Sequence, residues 1–154
     1  MAVSTMEERV HRQLEGHPFA RDLLPEDVDA LAERAELIAF SSRDVIFRAG
    51  DPADTFYLVR SGVVELTVDA HTGFPRVIQH ISEGSVLGWS WLFAPYVWKF
   101  DAVAATPMRG IAIDAAALRE HFGENPGSGF RVMARVAAVM NERLDATRQK
   151  LLQT

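Results

Sequence analysis

Between Phe40 and Ile113 the chain repeats one pattern: short runs of β-branched and aromatic residues, each closed by turn residues. The runs are Val45-Ile46-Phe47, Phe56-Tyr57-Leu58-Val59, Val63-Val64-Glu65-Leu66-Thr67-Val68 and Arg76-Val77-Ile78-Gln79-His80-Ile81. Gly50-Asp51-Pro52, Ser61-Gly62, His71-Thr72-Gly73-Phe74-Pro75 and Ser82-Glu83-Gly84 punctuate them. A further strand pair is predicted at 101–105 and 108–113. Strands this short, recurring about every ten residues, point to a barrel or jelly roll and against a βαβ fold.

Helices flank the strands. Thr5 is a candidate N-cap with Glu7 and Glu8 in the first turn, and Val10, Leu14 and Phe19 supply an apolar face. Pro25 opens a second helical stretch, in which Val28, Leu31, Ala32, Ala35 and Leu37 keep helical spacing. Asp114 is placed to cap a short helix over 115–122, closed by Gly123. Asn125-Pro126 opens a long one that runs to about Leu152. Met133, Ala137, Met140, Leu144, Thr147 and Leu151 fall at alternating steps of four and three, a heptad seam, while Val132, Val136 and Val139 form a second stripe. Helices over about 5–39, a β-roll over about 40–113 and helices over about 115–152 then make a single domain of 1–154.

Composition narrows the function. With 154 residues, 48% of them hydrophobic, the chain can bury a core without staples. The absence of Cys excludes thiol catalysis, iron–sulfur clusters and Cys-ligated zinc, and it suits a reducing cytoplasm. No apolar run reaches the roughly 18–20 residues of a membrane span, and the charged N-terminus does not read as an export signal. A net charge of −5 weighs against whole-surface affinity for nucleic acid.

Phe47-Arg48-Ala49-Gly50-Asp51-Pro52-Ala53-Asp54 followed by Phe56-Tyr57-Leu58-Val59-Arg60-Ser61-Gly62-Val63-Val64 resembles the first half of cyclic nucleotide-binding domains. These are the sensor domains of catabolite-activator-type transcription factors, protein kinase A regulatory subunits and some channels. The resemblance covers roughly residues 20–150. It implies a double-stranded β-helix jelly roll with helices at both ends, and a non-catalytic regulatory or ligand-sensing role.

In that family a phosphate-binding cassette reads Phe-Gly-Glu-x-Ala-Leu, a variable stretch, then Pro-Arg-x-Ala. Backbone N–H groups and the Arg hold the cyclic phosphate, and the Glu accepts from the ribose. The matching stretch here runs from Leu87 to Ala102. Gly88 keeps the turn, Trp89 stands in the place of the Glu, and Lys99 is the nearest match to the Arg, with Phe100 and Asp101 beside it. Each lost charge contact costs about 2–5 kcal/mol of binding, so cyclic AMP is not expected to bind in the usual way. All three Trp of the chain, Trp89, Trp91 and Trp98, fall within this stretch, joined by Phe93, Tyr96 and Phe100. Three readings follow, in this order: the aromatics fill the vacated pocket; they line a site for an apolar ligand, with Ser90, Lys99 or Asp101 as polar anchors; or they form a patch for a protein partner. The candidate ligand-binding residues are therefore Gly88, Trp89, Ser90, Trp91, Lys99, Asp101 and Ala102.

A jelly roll also suits a cupin-like metalloenzyme, for which His71 and His80 with Glu65 or Glu83 are the available ligands. No His-x-His pair supports it, and serine-nucleophile, Walker and Rossmann patterns are absent, so no enzyme activity and no cofactor are expected. Transcription factors of the resembling family carry a helix-turn-helix domain after the long helix, whereas this chain stops at Thr154. A stand-alone sensor, or a sensor half cut before its effector, is expected, without direct DNA binding. The heptad seam predicts a homodimer through the last helix.

Overall fold

The computed structural model describes residues 5–69 and 73–153. Among the described residues seven strands form two antiparallel sheets: β1 (Ala35–Phe40), β2 (Val45–Phe47), β3 (Thr55–Ser61), β4 (Val64–Asp69), β5 (Pro75–Ile81), β6 (Asp101–Ala104) and β7 (Met108–Asp114). One sheet has the order β1-β7-β3 and the other β2-β6-β4-β5. Phe56, Leu58, Val64, Leu66, Ala102, Met108, Ile111 and Ile113 are all buried in one core. Their alternation along β3, β4 and β6 is the half-buried strand pattern, β7 is buried along most of its length, and each large side chain so buried contributes about 1.5–3 kcal/mol. This is the jelly roll that the strand spacing implied.

Gly50 and Gly62 sit at φ of 94° and 90°, where the chain reverses between strands. At Gly62 a side chain is excluded twice, because its Cβ would lie 2.3 Å from the Pro107 carbonyl oxygen.

Among the described residues four α-helices cover the roll: α1 (Met6–Glu15), α2 (Pro25–Ala32), α3 (Ala115–Glu124) and α4 (Pro126–Leu152). The Thr5 side chain accepts the Glu8 N–H, and Asp114 accepts the Ala117 N–H, so both expected caps form. Four details differ from the expectation. The N-terminal helices stop at Ala32 instead of about 39, because residues 35–40 pair along β7, with Ala35 opposite Ile113 and Phe40 opposite Met108. Helix α3 runs past Gly123 to Glu124. Asn125 precedes α4 without a side-chain cap; its Nδ2 donates instead to the His121 carbonyl oxygen at 3.1 Å. Phe19 is buried in a single 3-10 turn, Pro18–Ala20, instead of on a helical face.

Two buried polar contacts tie the helices to the rest. Asp27 is fully buried in α2, where it accepts from Arg131 Nε of α4 at 2.6 Å and from the Leu24 N–H at 2.9 Å. Burial alone would raise its carboxyl, but these bonds outweigh that and hold it below the usual range. His17 joins the α1–α2 link to β3. Its Nε2 donates to the Val59 carbonyl oxygen at 2.8 Å, and its Nδ1 accepts the Phe19 N–H at 3.0 Å. The Phe19 bond requires an unprotonated Nδ1 and hence the neutral ring, whereas Nε2–H can donate to Val59 in either charge state. Burial lowers the pKa below the ordinary histidine value, and the nearby Arg60 charge adds to this against the Val59 bond.

The unfolded chain therefore takes up this proton near pH 6.5, before the folded one does. Stability should be intact above that pH and fall as pH drops toward the lowered folded value, by at most about 1.4 kcal/mol per pH unit from this residue. Urea unfolding at pH 7.5 and 5.5 checks it. His17→Gln should show a smaller loss on acidification than the unmodified protein; equal losses would exclude His17 as the cause.

Candidate functional site

The stretch from Leu87 to Ala102 leaves the roll after β5, crosses its end and re-enters as β6. Its only helical element is a single 3-10 turn, Ser90–Leu92. The Leu92 and Phe93 N–H groups are spent within it, on the Trp89 and Ser90 carbonyls. Farther on, the chain zips against the Gly50 turn. Gly50 N–H donates to Trp98 O, Trp98 N–H to Asp51 O, and Ala53 N–H to Tyr96 O.

Two aromatic stacks fill the space beneath. Trp98 lies flat on Phe47, with centroids 3.8 Å apart and planes 7° from parallel, and only 3% of it is exposed. Phe100 tilts against the same pair, and Tyr57 stacks beyond Phe47 at 6.0 Å. Trp91, wholly buried, stacks on Phe56 at 4.4 Å, and Phe56 meets Phe19 edge-on. The Trp91 indole N–H has no hydrogen-bond partner, a desolvation cost of about 1–3 kcal/mol that the packing offsets.

The remaining candidate residues divide. Gly88 is buried under the aromatics: a Cβ there would come within 3.1 Å of Trp98 and 3.2 Å of Phe100. Its smallness serves close packing. Trp89 is half-buried. Ser90 lies in the 3-10 turn, and Lys99 is exposed at the entrance to β6. Asp101 Oδ1 accepts the Ala49 N–H at 2.7 Å, which commits one of its oxygens to the Gly50 turn. Ala102 is buried in β6, opposite Leu66 and Phe47.

Two residues that the sequence did not single out hold this stretch from the helices. Arg119 of α3 donates to the Trp91 carbonyl oxygen at 2.6 Å, and its guanidinium sits 4.0 Å above the Tyr96 ring centroid. Arg143 of α4 donates to Ser85 Oγ at 3.0 Å and to the Val86 carbonyl oxygen, and lies 5.2 Å over Trp89. Burial lowers its pKa to about 10, so it remains charged at neutral pH. Each stands more than 20 residues from its contacts, and no local spacing could have shown it.

On α4, Val132 and Val136 face the core. Met133, Ala137, Leu144, Thr147 and Leu151 of the seam are exposed, and Met140 packs partly on the core. The two stripes therefore separate, except at Met140. Of the metal candidates, His71 lies outside the described residues. His80 is 3.8 Å from Glu65, which Arg43 also approaches at 3.9 Å. Among the described residues no group of three or more His, Asp or Glu gathers as a metal site.

Sequence and structure comparisons place this fold in a family. Residues 37–125 match the family model of the cyclic nucleotide-binding domain; the chain belongs to that family. It is 24% identical over 127 residues to a CRP-like cAMP-activated global transcriptional regulator of Mycobacterium tuberculosis, covering 82% of this chain and 55% of that one. It is 27% identical over 82 residues to the cAMP-dependent protein kinase regulatory subunit of Dictyostelium discoideum, covering 53% of this chain and 25% of that one. The chain thus spans about half the length, or less, of these curated relatives. A crystal structure of a Geobacter metallireducens GS-15 protein, described as cyclic nucleotide-binding, superposes with a TM-score of 0.77 at 29% identity, over 92% of this chain and 99% of that one. The two curated relatives are regulatory proteins, and a non-catalytic sensor role fits the chain. Among the described residues no helix is long and apolar enough to cross a membrane.

Proposed function

We propose that this is a regulatory domain of the cyclic nucleotide-binding type whose cassette is closed by its own aromatic side chains, so that cyclic nucleotides do not bind in the usual way. The observation that carries the reading is the Trp98–Phe47 stack, 3.8 Å apart and almost without exposure. A ligand entering there would have to displace an indole already in van der Waals contact on its face. Trp89 in the place of the ribose acceptor, Lys99 in solvent and a three-residue turn with two amides spent internally support the same conclusion. Of Gly88, Trp89, Ser90, Trp91, Lys99, Asp101 and Ala102, this reading makes Gly88, Trp91 and Ala102 packing residues. Ser90 and Lys99 are left as the polar groups at the surface.

The domain acts as a cytoplasmic homodimer joined through α4, without touching DNA itself. Support comes from the exposed seam, the Cys-free composition and the net charge of −5. Isothermal titration tests the cassette reading. Cyclic AMP and cyclic GMP should bind no better than millimolar, and a dissociation constant near 1 μM, about −8 kcal/mol, would overturn it.

A further inference from the structure

Away from the cassette, residues of α1, β1, β3 and β7 border an open cavity of about 450 Å³. Its floor is Leu37, Ile38 and Ala39 of β1. Its walls carry four arginines from three elements: Arg9 and Arg12 of α1, Arg60 of β3 and Arg109 of β7. The spacing of Arg9 and Arg12 places both on one side of α1, and β7 runs between β1 and β3, so Arg109 and Arg60 come from neighbouring strands. Gln13 also lines the cavity, and its Oε1 accepts from Arg60 Nε at 3.2 Å, leaving its amide N–H groups as donors.

Four guanidinium groups gathered in a chain of net charge −5 need a reason. Among the described residues Arg9, Arg60 and Arg109 form no ion pair with any carboxylate. Like charges around one concavity repel, and a bound anion removes that cost. Guanidinium forks match phosphate oxygens two bonds at a time, which ammonium groups do not. The four side chains border one open depression, so a small polyanion can meet several of them at once.

We infer that this cavity is an anion site for a small ligand carrying several phosphate groups, separate from the cassette and independent of how the cassette is read. The phosphates lie among Arg9, Arg12, Arg60 and Arg109, and the apolar floor of β1 receives whatever the phosphates are attached to.

Tripolyphosphate titrated calorimetrically into the full chain in about 50 mM NaCl tests it. One ion should bind per chain with a dissociation constant of about 100 μM or tighter, and affinity should fall as salt is raised. The variant R60A/R109A, whose changed side chains lie outside the core, should keep its circular dichroism spectrum and bind at least tenfold more weakly. Lys99→Ala, at the cassette, should bind as the unmodified protein does. No binding at millimolar tripolyphosphate, or equal binding by R60A/R109A, would sink the proposal. Loss of binding in Lys99→Ala alone would move the anion to the cassette and overturn it equally. Displacement of tripolyphosphate by a DNA duplex at lower concentration would show a nucleic-acid surface in its place.

Discussion

Trp98→Ala should destabilise the domain by about 3–5 kcal/mol, the usual range for emptying a buried aromatic site. For a domain of this size that is a fall in Tm on the order of 10 °C, measurable by thermal unfolding. Trp98 is buried to 3% exposure and stacked on Phe47, and its backbone pairs twice with the Gly50 turn. Its removal therefore opens a void beside Phe47 of β2. Trp98→Phe keeps an aromatic ring over Phe47 and should lose much less. If Trp98→Ala unfolded within about 2 °C of the unmodified protein, the stack would not be structural and the closed-cassette reading would fail with it.

The second large effect concerns assembly. Unmodified protein at about 100 μM should scatter light as a dimer, and Met133→Glu with Leu144→Glu should scatter as a monomer with an unchanged circular dichroism spectrum. Each of these side chains is 49% exposed in the single chain, so the variant brings like charges together across the seam without entering the core. Met140 is the poorer site for such a test, because it packs partly on the core and a charge there would also cost folding. Thr147 costs the seam little, since its hydroxyl already donates to the Arg143 carbonyl oxygen at 3.0 Å. A monomer at 100 μM in the unmodified protein would leave the seam as an exposed helix face and nothing more.

Strands bounded by Gly or Pro were legible from the sequence because the turn residues set their ends. Strand β1 was not. Ala35 and Leu37 continue the spacing of Val28, Leu31 and Ala32, so local periodicity favours one helix. The strand forms because β7, over 70 residues away, needs a partner on its open side. Likewise the cassette's aromatic cluster could be counted in the sequence, but its depth could not. Phe47 and Phe56, which receive the two indoles, belong to strands assigned for other reasons. Arg119 and Arg143 reach the cluster from helices whose periodicity gives no sign of it. Proximity along the chain made the candidates visible; contacts closed over long separations decided what they do.

The sheet order also governs how the molecule is made. In each sheet an inner strand comes late in the sequence: β7 lies between β1 and β3, and β6 between β2 and β4. As the chain leaves the ribosome, the first five strands can form only one of their sheet pairings, the β4–β5 hairpin. The backbone edge of β2 stays open until β6 has emerged, and those of β1 and β3 until β7, which ends at Asp114, has followed. Closure of the roll is thus a late event that depends on distant contacts, and the nascent chain passes through an interval of exposed, apolar strand edges.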